Sequence, residues 1–139
     1  MNRETILIAE DDEELLEIIR IRLEGAGFHV VGVANGEEAL SLAQTKLPNL
    51  IVLDVFLPDM DGLTILKRLK SPLDIASGEP SKTKDIPVIV ITGKAPMIEN
   101  MTRLEGAADF YVKPVDLAKL VERITQLIAL RQKDESARL

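Results

Sequence analysis

The sequence predicts a three-layer α/β domain: a doubly wound sheet of five parallel strands with five helices on its two faces. Two observations carry this. Short apolar, β-branched runs alternate five times with longer segments of helical period, the pattern of strand-helix units building a covered parallel sheet. The third run, Leu50-Ile51-Val52-Leu53, has no polar alternation, so it is buried on both faces, as a central parallel strand must be. The chain has 139 residues, 46% hydrophobic and 29% charged, which suits one folded domain and argues against disorder.

Ile6 to Ala9 is the first strand. Leu15, Leu16, Ile19 and Leu23 recur at helical spacing until Gly25-Ala26-Gly27 stops them. Phe28 to Val33 is the second strand, closed by the turn pair Asn35-Gly36. Leu40, Ala43 and Leu47 then share a helix face and Pro48 ends it. Leu50 to Leu53 follows, then a loop from Asp54 to Gly62. Leu63, Leu66 and Leu69 support the third helix. Val88 to Ile91 is the fourth strand, and Met97, Met101 and Leu104 mark a helix that Gly106 caps. Phe110 to Val112 is the fifth strand. The last helix starts near Asp116 and carries Leu117, Leu120, Val121, Ile124, Leu127 and Ile128 at spacings of three and four. Residues 1–130 form the domain, and 131–139 a C-terminal tail or helix extension. Ser71 to Pro87, with three Pro, one Gly and several Ser, Thr and Lys, exceeds the roughly 12 to 15 residues at which compact domains stop tolerating loops without structure. It reads as an inserted surface element or a disordered flap, solvated and without a role.

Composition excludes several functions. With 17 Lys and Arg against 23 Asp and Glu, the net charge is −6, so a basic field for nucleic acid is lacking. Without Cys there is no disulfide scaffold, thiolate zinc site or cysteine nucleophile. No apolar run approaches the roughly 20 residues of a membrane span, and no signal-peptide core precedes the first strand. The expectation is a soluble, cytoplasmic protein.

In an open parallel sheet, groups just beyond the strand carboxyl ends converge on one crevice. Here those groups are Glu10-Asp11-Asp12 after the first strand, Asp54 after the third, Thr92 at the end of the fourth and Lys113-Pro114 after the fifth. Acids brought together from neighbouring strands repel unless a cation lies among them, and oxygen ligands favour a hard divalent ion such as Mg²⁺. A carboxylate, a metal, an ammonium and a hydroxyl around one point complement a phosphoryl group, with Asp54 as the nucleophile. Each residue also has a plainer reading. The acids of 10–14 suit a helix N-terminus, with Asp11 and Glu14 spaced as a capping box. Asp54 could end a strand, Asp59 and Asp61 read as turn residues beside Pro58 and Gly62, Thr92 suits a strand end and Lys113 suits a solvated surface. The plainer readings do not explain why acid, acid, hydroxyl and ammonium all fall at strand carboxyl ends. His29, the one histidine, stands at the entrance to the second strand and reads as a partly exposed strand residue.

The segments Ile6-Leu7-Ile8-Ala9-Glu10-Asp11-Asp12, Leu53 to Gly62, Val90-Ile91-Thr92-Gly93 and Gly106 to Pro114 together resemble the receiver domain of bacterial two-component response regulators, chemotaxis-regulator-like in form. The resemblance covers nearly the whole chain. It implies a flavodoxin-like fold with strand order 2-1-3-4-5, and phosphorylation of Asp54 by a histidine kinase or histidine phosphotransfer protein. It further implies Mg²⁺ held by Asp11, Asp54 and the Phe56 backbone carbonyl, with Glu10 assisting through water. Thr92 and Lys113 would bind the phosphoryl oxygens, and the Lys113-Pro114 peptide would be cis. The family's switch couples Thr92 to the aromatic Phe110, which lacks the hydroxyl of a Tyr; Tyr111 points to the other face. Phe56 and Lys94 stand where the family tunes phosphoryl lifetime.

Phosphorylation would then bias the face formed by helix four, strand five and helix five, the surface for a downstream protein, a fused effector domain or a homodimer. The chain would be no enzyme in the ordinary sense but a phosphoacceptor that assists its own phosphorylation and dephosphorylation. No nucleic-acid-binding or catalytic output domain is expected within it, so it reads as a stand-alone receiver or as the receiver portion of a longer protein. The spacing through Leu117, Leu120, Ile124 and Leu127 would also suit a coiled coil. A haloacid-dehalogenase-type phosphatase would need an Asp where Phe56 stands, and Glu10-Asp11-Asp12 would repel a flavin phosphate. The alternative kept is a receiver-fold interaction module that works without phosphorylation.

Overall fold

A computed structural model of the chain describes residues 3–93 and 96–137. Five strands, β1 (Thr5–Ala9), β2 (His29–Val33), β3 (Leu50–Asp54), β4 (Val88–Thr92) and β5 (Asp109–Val112), alternate with α1 (Glu13–Gly25), α2 (Gly36–Lys46), α3 (Gly62–Lys70), α4 (Pro96–Leu104) and α5 (Leu117–Ala137). The sheet is parallel throughout, in the order β2-β1-β3-β4-β5. This is the flavodoxin-like doubly wound arrangement, with the order reversing between β1 and β3.

Strand alternation splits the core into two layers. Leu7, Ala9, Ile51, Leu53, Val88, Val90 and Phe110 pack with Leu40, Ala43, Ile65, Leu66 and Leu69 of α2 and α3. On the opposite face Ile6, Ile8, Val30, Leu50, Val52, Ile89 and Ile91 meet Ile19 and Leu23 of α1 and Leu120, Ile124 and Ile128 of α5. All five residues of β3 are buried, which is why that run lacks alternation. Phe110 and Tyr111 fall in opposite layers.

Several local expectations need correction. The residue capping α1 is Asp12, not Asp11: its Oδ1 accepts from Glu14 N at 3.1 Å and Leu15 N at 3.2 Å. Phe28 precedes β2, because its N–H is taken by Leu23 O at 3.0 Å in closing α1. Leu47 does not share the buried face of α2. It ends the helix in a left-handed conformation, φ 46°, and is exposed. The apolar seam of α5 is spent against the sheet, with Leu120 and Ile124 fully buried, so it is not available to a coiled coil. Residues 71–87 are a folded element and no flap. Leu73 bridges Pro80, Ser81 N donates to Pro72 O at 3.0 Å, and Thr83 and Ile86 are buried.

The segment between β3 and α3 is held with little slack. Asp61 caps α3 through Leu63 N at 2.7 Å. Asp59 reaches across to α2, accepting from Gly36 N at 2.7 Å and Glu37 N at 3.0 Å. Those two bonds hold its carboxyl below the usual aspartate value. Gly62 N donates to Val55 O at 2.7 Å, and a Cβ on Gly62 would stand 2.5 Å from Val55 Cα and 2.9 Å from Asp54 O. No rotamer relieves a clash with backbone, so Gly62→Ala is expected to cost about 1 to 3 kcal/mol as overpacking does. The displaced atoms belong to Asp54 and Val55, so the end of β3 should shift with it; urea unfolding of the variant measures the cost.

Candidate functional site

The residues of interest lie where the sequence placed them, at the carboxyl ends of β1, β3, β4 and β5. Glu10 follows β1 and is pinned by its N–H to Val33 O at 3.0 Å. Asp54 is the last residue of β3, Thr92 the last of β4, and Lys113 follows β5 with its N–H on Thr92 O at 2.7 Å. Apolar strands on either side explain the burial. Glu10 and Thr92 are fully buried and Asp54 is 3% exposed. The Lys113–Pro114 peptide is cis.

Lys113 joins the two buried acids. Its Nζ stands 2.6 Å from Glu10 Oε1 and donates to Asp54 Oδ2 at 3.1 Å. The other Asp54 oxygen, Oδ1, accepts from Phe56 N at 3.0 Å. Besides this ion pair with Lys113, Glu10 Oε1 has no assigned partner among the described residues. Asp11 sits exposed at the rim, and Glu10, Asp11 and Asp54 each offer an oxygen within 4.8 Å of the others.

Three acids therefore face one ammonium. Burial foremost, and then Asp54, push the Glu10 carboxyl up to about 7 against the pull of Lys113. Burial also pulls the Lys113 ammonium down, but Glu10 and Asp54 together outweigh it and its pKa is raised. The ammonium is thus well placed, and the charge on Glu10 is not. Three carboxylates that share one ammonium and offer oxygens within 4.8 Å of one another fit a hard divalent cation. Since folded Glu10 holds its proton to a higher pH than the unfolded chain does, stability without metal should fall as pH rises from about 4.5 to about 7. Thermal melts in chelator across that range should show the slope, and Glu10→Gln should flatten it.

Phe56 is 48% exposed and bridges Asp61. Phe56 lines a groove of about 490 Å³ with Leu57, Pro58, Met60, Leu63 and Ile98. Phe110 is buried in the layer packed against Ile98 and Ala107. Lys94 lies outside the described residues. His29 is exposed at the start of β2. The roles of Asp59 and Lys70, described above and below, were missed by sequence reasoning, because their partners are 14 to 23 positions away and no local spacing signals them. Among the described residues no helix is long and apolar enough to cross a membrane.

A family model described as "Response regulator receiver domain" matches residues 6–125. The chain is 32% identical over 129 residues to the alkaline phosphatase synthesis transcriptional regulatory protein PhoP of Bacillus subtilis, covering 92% of this chain and 49% of that protein. It is 32% identical over 138 residues to the DNA-binding response regulator MtrA of Mycolicibacterium smegmatis, covering 99% and 55%. The chain spans about half the length of the curated relatives it matches. Among solved structures, a CheY-like response regulator receiver domain protein from Methanospirillum hungatei superposes with a TM-score of 0.80 at 27% identity, covering 96% of this chain and 99% of that one.

Proposed function

Because this chain belongs to the response regulator receiver domain family of two-component systems, we propose that Asp54 is its phosphoacceptor and that phosphorylation there resets the α4-β5-α5 face for partner docking. The observation that supports this most is the Asp54 carboxylate itself. It is buried at a strand end, fixed by Phe56 N and the Lys113 ammonium, and flanked by two further acids.

In the proposed reaction an Asp54 oxygen attacks the phosphorus of a phosphohistidine. The new O–P bond forms as the P–N bond breaks, and the imidazole leaves with the electron pair and gains a proton from water. Asp11, Asp54 and the Phe56 carbonyl would hold Mg²⁺, with Glu10 acting through water. The ion supplies charge neutralisation to the phosphoryl oxygens. Lys113 supplies a fixed positive charge to the same oxygens, and the Thr92 hydroxyl donates to one of them once the acyl phosphate forms. Thr92 precedes the segment leading to α4, and Ile98 of that helix packs against the core layer to which Phe110 belongs, so a change at Thr92 would be passed to the α4-β5-α5 face.

The phosphodonor, a histidine kinase or histidine phosphotransfer protein, would dock on the apolar groove of about 340 Å³ between α1 and the start of α5. Leu15, Ile18, Pro114, Val115 and Leu117 line it next to Lys113. The output would be a downstream protein, a fused effector domain or a second copy seated on the switched face. Lifetime tuning by Phe56 and Lys94 belongs to the same reading.

Treatment with acetyl phosphate and Mg²⁺ should add the mass of one phosphoryl group, removable by hydroxylamine and mapped to the peptide holding Asp54. Chelator should prevent the addition. No added mass, with beryllofluoride and Mg²⁺ also leaving the spectra of the α4-β5-α5 residues unchanged, would favour the interaction module that works without phosphorylation.

A further inference from the structure

Lys70, the last residue of α3, is a partly buried ammonium that the phosphoryl chemistry does not use. Its Nζ donates to Lys84 O at 3.0 Å and also to Ile86 O. Both carbonyls lie on the leg that returns from the 71–87 element to β4. Thr83 of the same leg donates Oγ1 to Leu69 O at 2.8 Å, so the leg is fastened to the last turn of α3 at neighbouring points. Burial lowers the Lys70 pKa, Arg131 adds to that, and Asp85 opposes it.

On its other flank the Lys70 stem faces the turn that closes α4 across a gap that one methyl group would fill. Gly106, at φ 97°, comes so near that an added Cβ would stand 3.4 Å from Lys70 Cγ and 3.7 Å from Cδ. One turn earlier on α3, Lys67 pairs with Glu105 at 3.9 Å. Ile86 at the foot of the leg is 1% exposed and shares a core layer with Phe110, against which Ile98 and Ala107 pack. One side chain therefore lies between the inserted element, to which it is bonded, and the C-terminal end of the helix that the proposed switch moves.

We propose that Lys70 is a positioning residue that couples the 71–87 element to α4, so that the element changes with the phosphorylation state and forms a second responsive surface on the α2-α3 side of the molecule. This rests on the switch proposed above. A shift of α4 carries Glu105 and Gly106 along α3, drawing on the Lys67–Glu105 pair, and an approach of the Gly106 turn by more than the width of a methyl group displaces the Lys70 stem. Its ammonium cannot move without stretching bonds to two carbonyls that accept no backbone hydrogen bond among the described residues. By linkage, anything that holds the element in one arrangement would bias α4 in return.

The element carries its own reporters: the N–H groups of Asp74, Gly78, Ser81 and Ile86 donate within it. Hydrogen exchange of the full chain, with and without beryllofluoride and Mg²⁺, tests the coupling. In wild type, exchange should change both at α4 and at these four amides. Lys70→Met keeps the stem and removes the ammonium; it should cut the response of the four amides about threefold or more while leaving that of α4. Lys70→Arg should retain it. If Lys70→Met does not fold, Lys70→Gln, whose amide is too short to span both carbonyls, takes its place. A response at α4 with none at the element in wild type, or an equal response in the Met variant, overturns the coupling and leaves the phosphoacceptor reading standing. Silence at both places rejects the switch and the coupling with it.

Discussion

Asp54→Asn is expected to gain no phosphoryl mass from acetyl phosphate and Mg²⁺ under conditions that label the wild type, and yet to unfold at no lower temperature. The two halves have separate causes. An amide oxygen is a poor nucleophile and carries no charge to share with a metal, so acceptance of the phosphoryl group is abolished rather than slowed. Stability goes the other way because Asp54 is one of two buried acids sharing one ammonium. Removing its charge leaves Lys113 paired to Glu10 at 2.6 Å and takes away one of the influences holding the Glu10 carboxyl near 7. The Asn side-chain oxygen can still accept from Phe56 N or Lys113. The variant should therefore show a smaller loss of stability between pH 5 and pH 8 than the wild type, and weaker stabilisation by Mg²⁺. A variant that labels normally would remove Asp54 as the acceptor. One that labels poorly but also unfolds far below the wild type would mean that the carboxylate is held for structure.

Much of this arrangement could be read from the chain because the physics behind it is local. A central parallel strand has no solvent face, so Leu50 to Leu53 show no alternation. The polar residues that end such strands have nowhere to go but the crevice, so Glu10, Asp54, Thr92 and Lys113 fall together. What could not be read depends on contacts between distant segments. Asp59 looks like a turn residue beside Pro58, and only the folded chain brings it to the N-terminus of α2. Asp11 and Asp12 compete for one cap, and the winner is set by how β1 hands the chain to α1. Leu47 satisfies a helical spacing but lies one residue past the point where the backbone turns left-handed. The 71–87 element has a loop composition, yet Asp74 binds Gln44, Ala76 and Ser77 around itself, and Thr83 and Ile86 sink into the core. Lys70, which spacing alone would assign to solvent at a helix end, is the residue that ties that element down.

Lys113→Met is expected to reveal how far the pocket depends on cations. With the ammonium gone, Glu10 and Asp54 remain fully or nearly buried beside each other, and a charge stranded in that way costs about 3 to 5 kcal/mol when it cannot escape. Escape is partly open here. Lys113 is 26% exposed, so water reaches part of the vacated space, and Glu10, already displaced to about 7, can take up a proton. The loss should accordingly lie near or somewhat below the lower end of that range at pH 8 and shrink toward pH 6, where folded Glu10 is protonated. A divalent cation offsets the same charge, so Mg²⁺ should raise the melting temperature of the variant more than that of the wild type, whereas the same ionic strength of NaCl should not. Labelling by acetyl phosphate should slow by about tenfold or more, because one fixed charge facing the phosphoryl oxygens is lost. Calorimetric melts at pH 6 and pH 8, with chelator and with Mg²⁺, separate these effects. If the loss of stability were the same at both pH values and indifferent to Mg²⁺, the two buried carboxylates would not be competing for positive charge, and the cation site inferred from them would have no electrostatic basis.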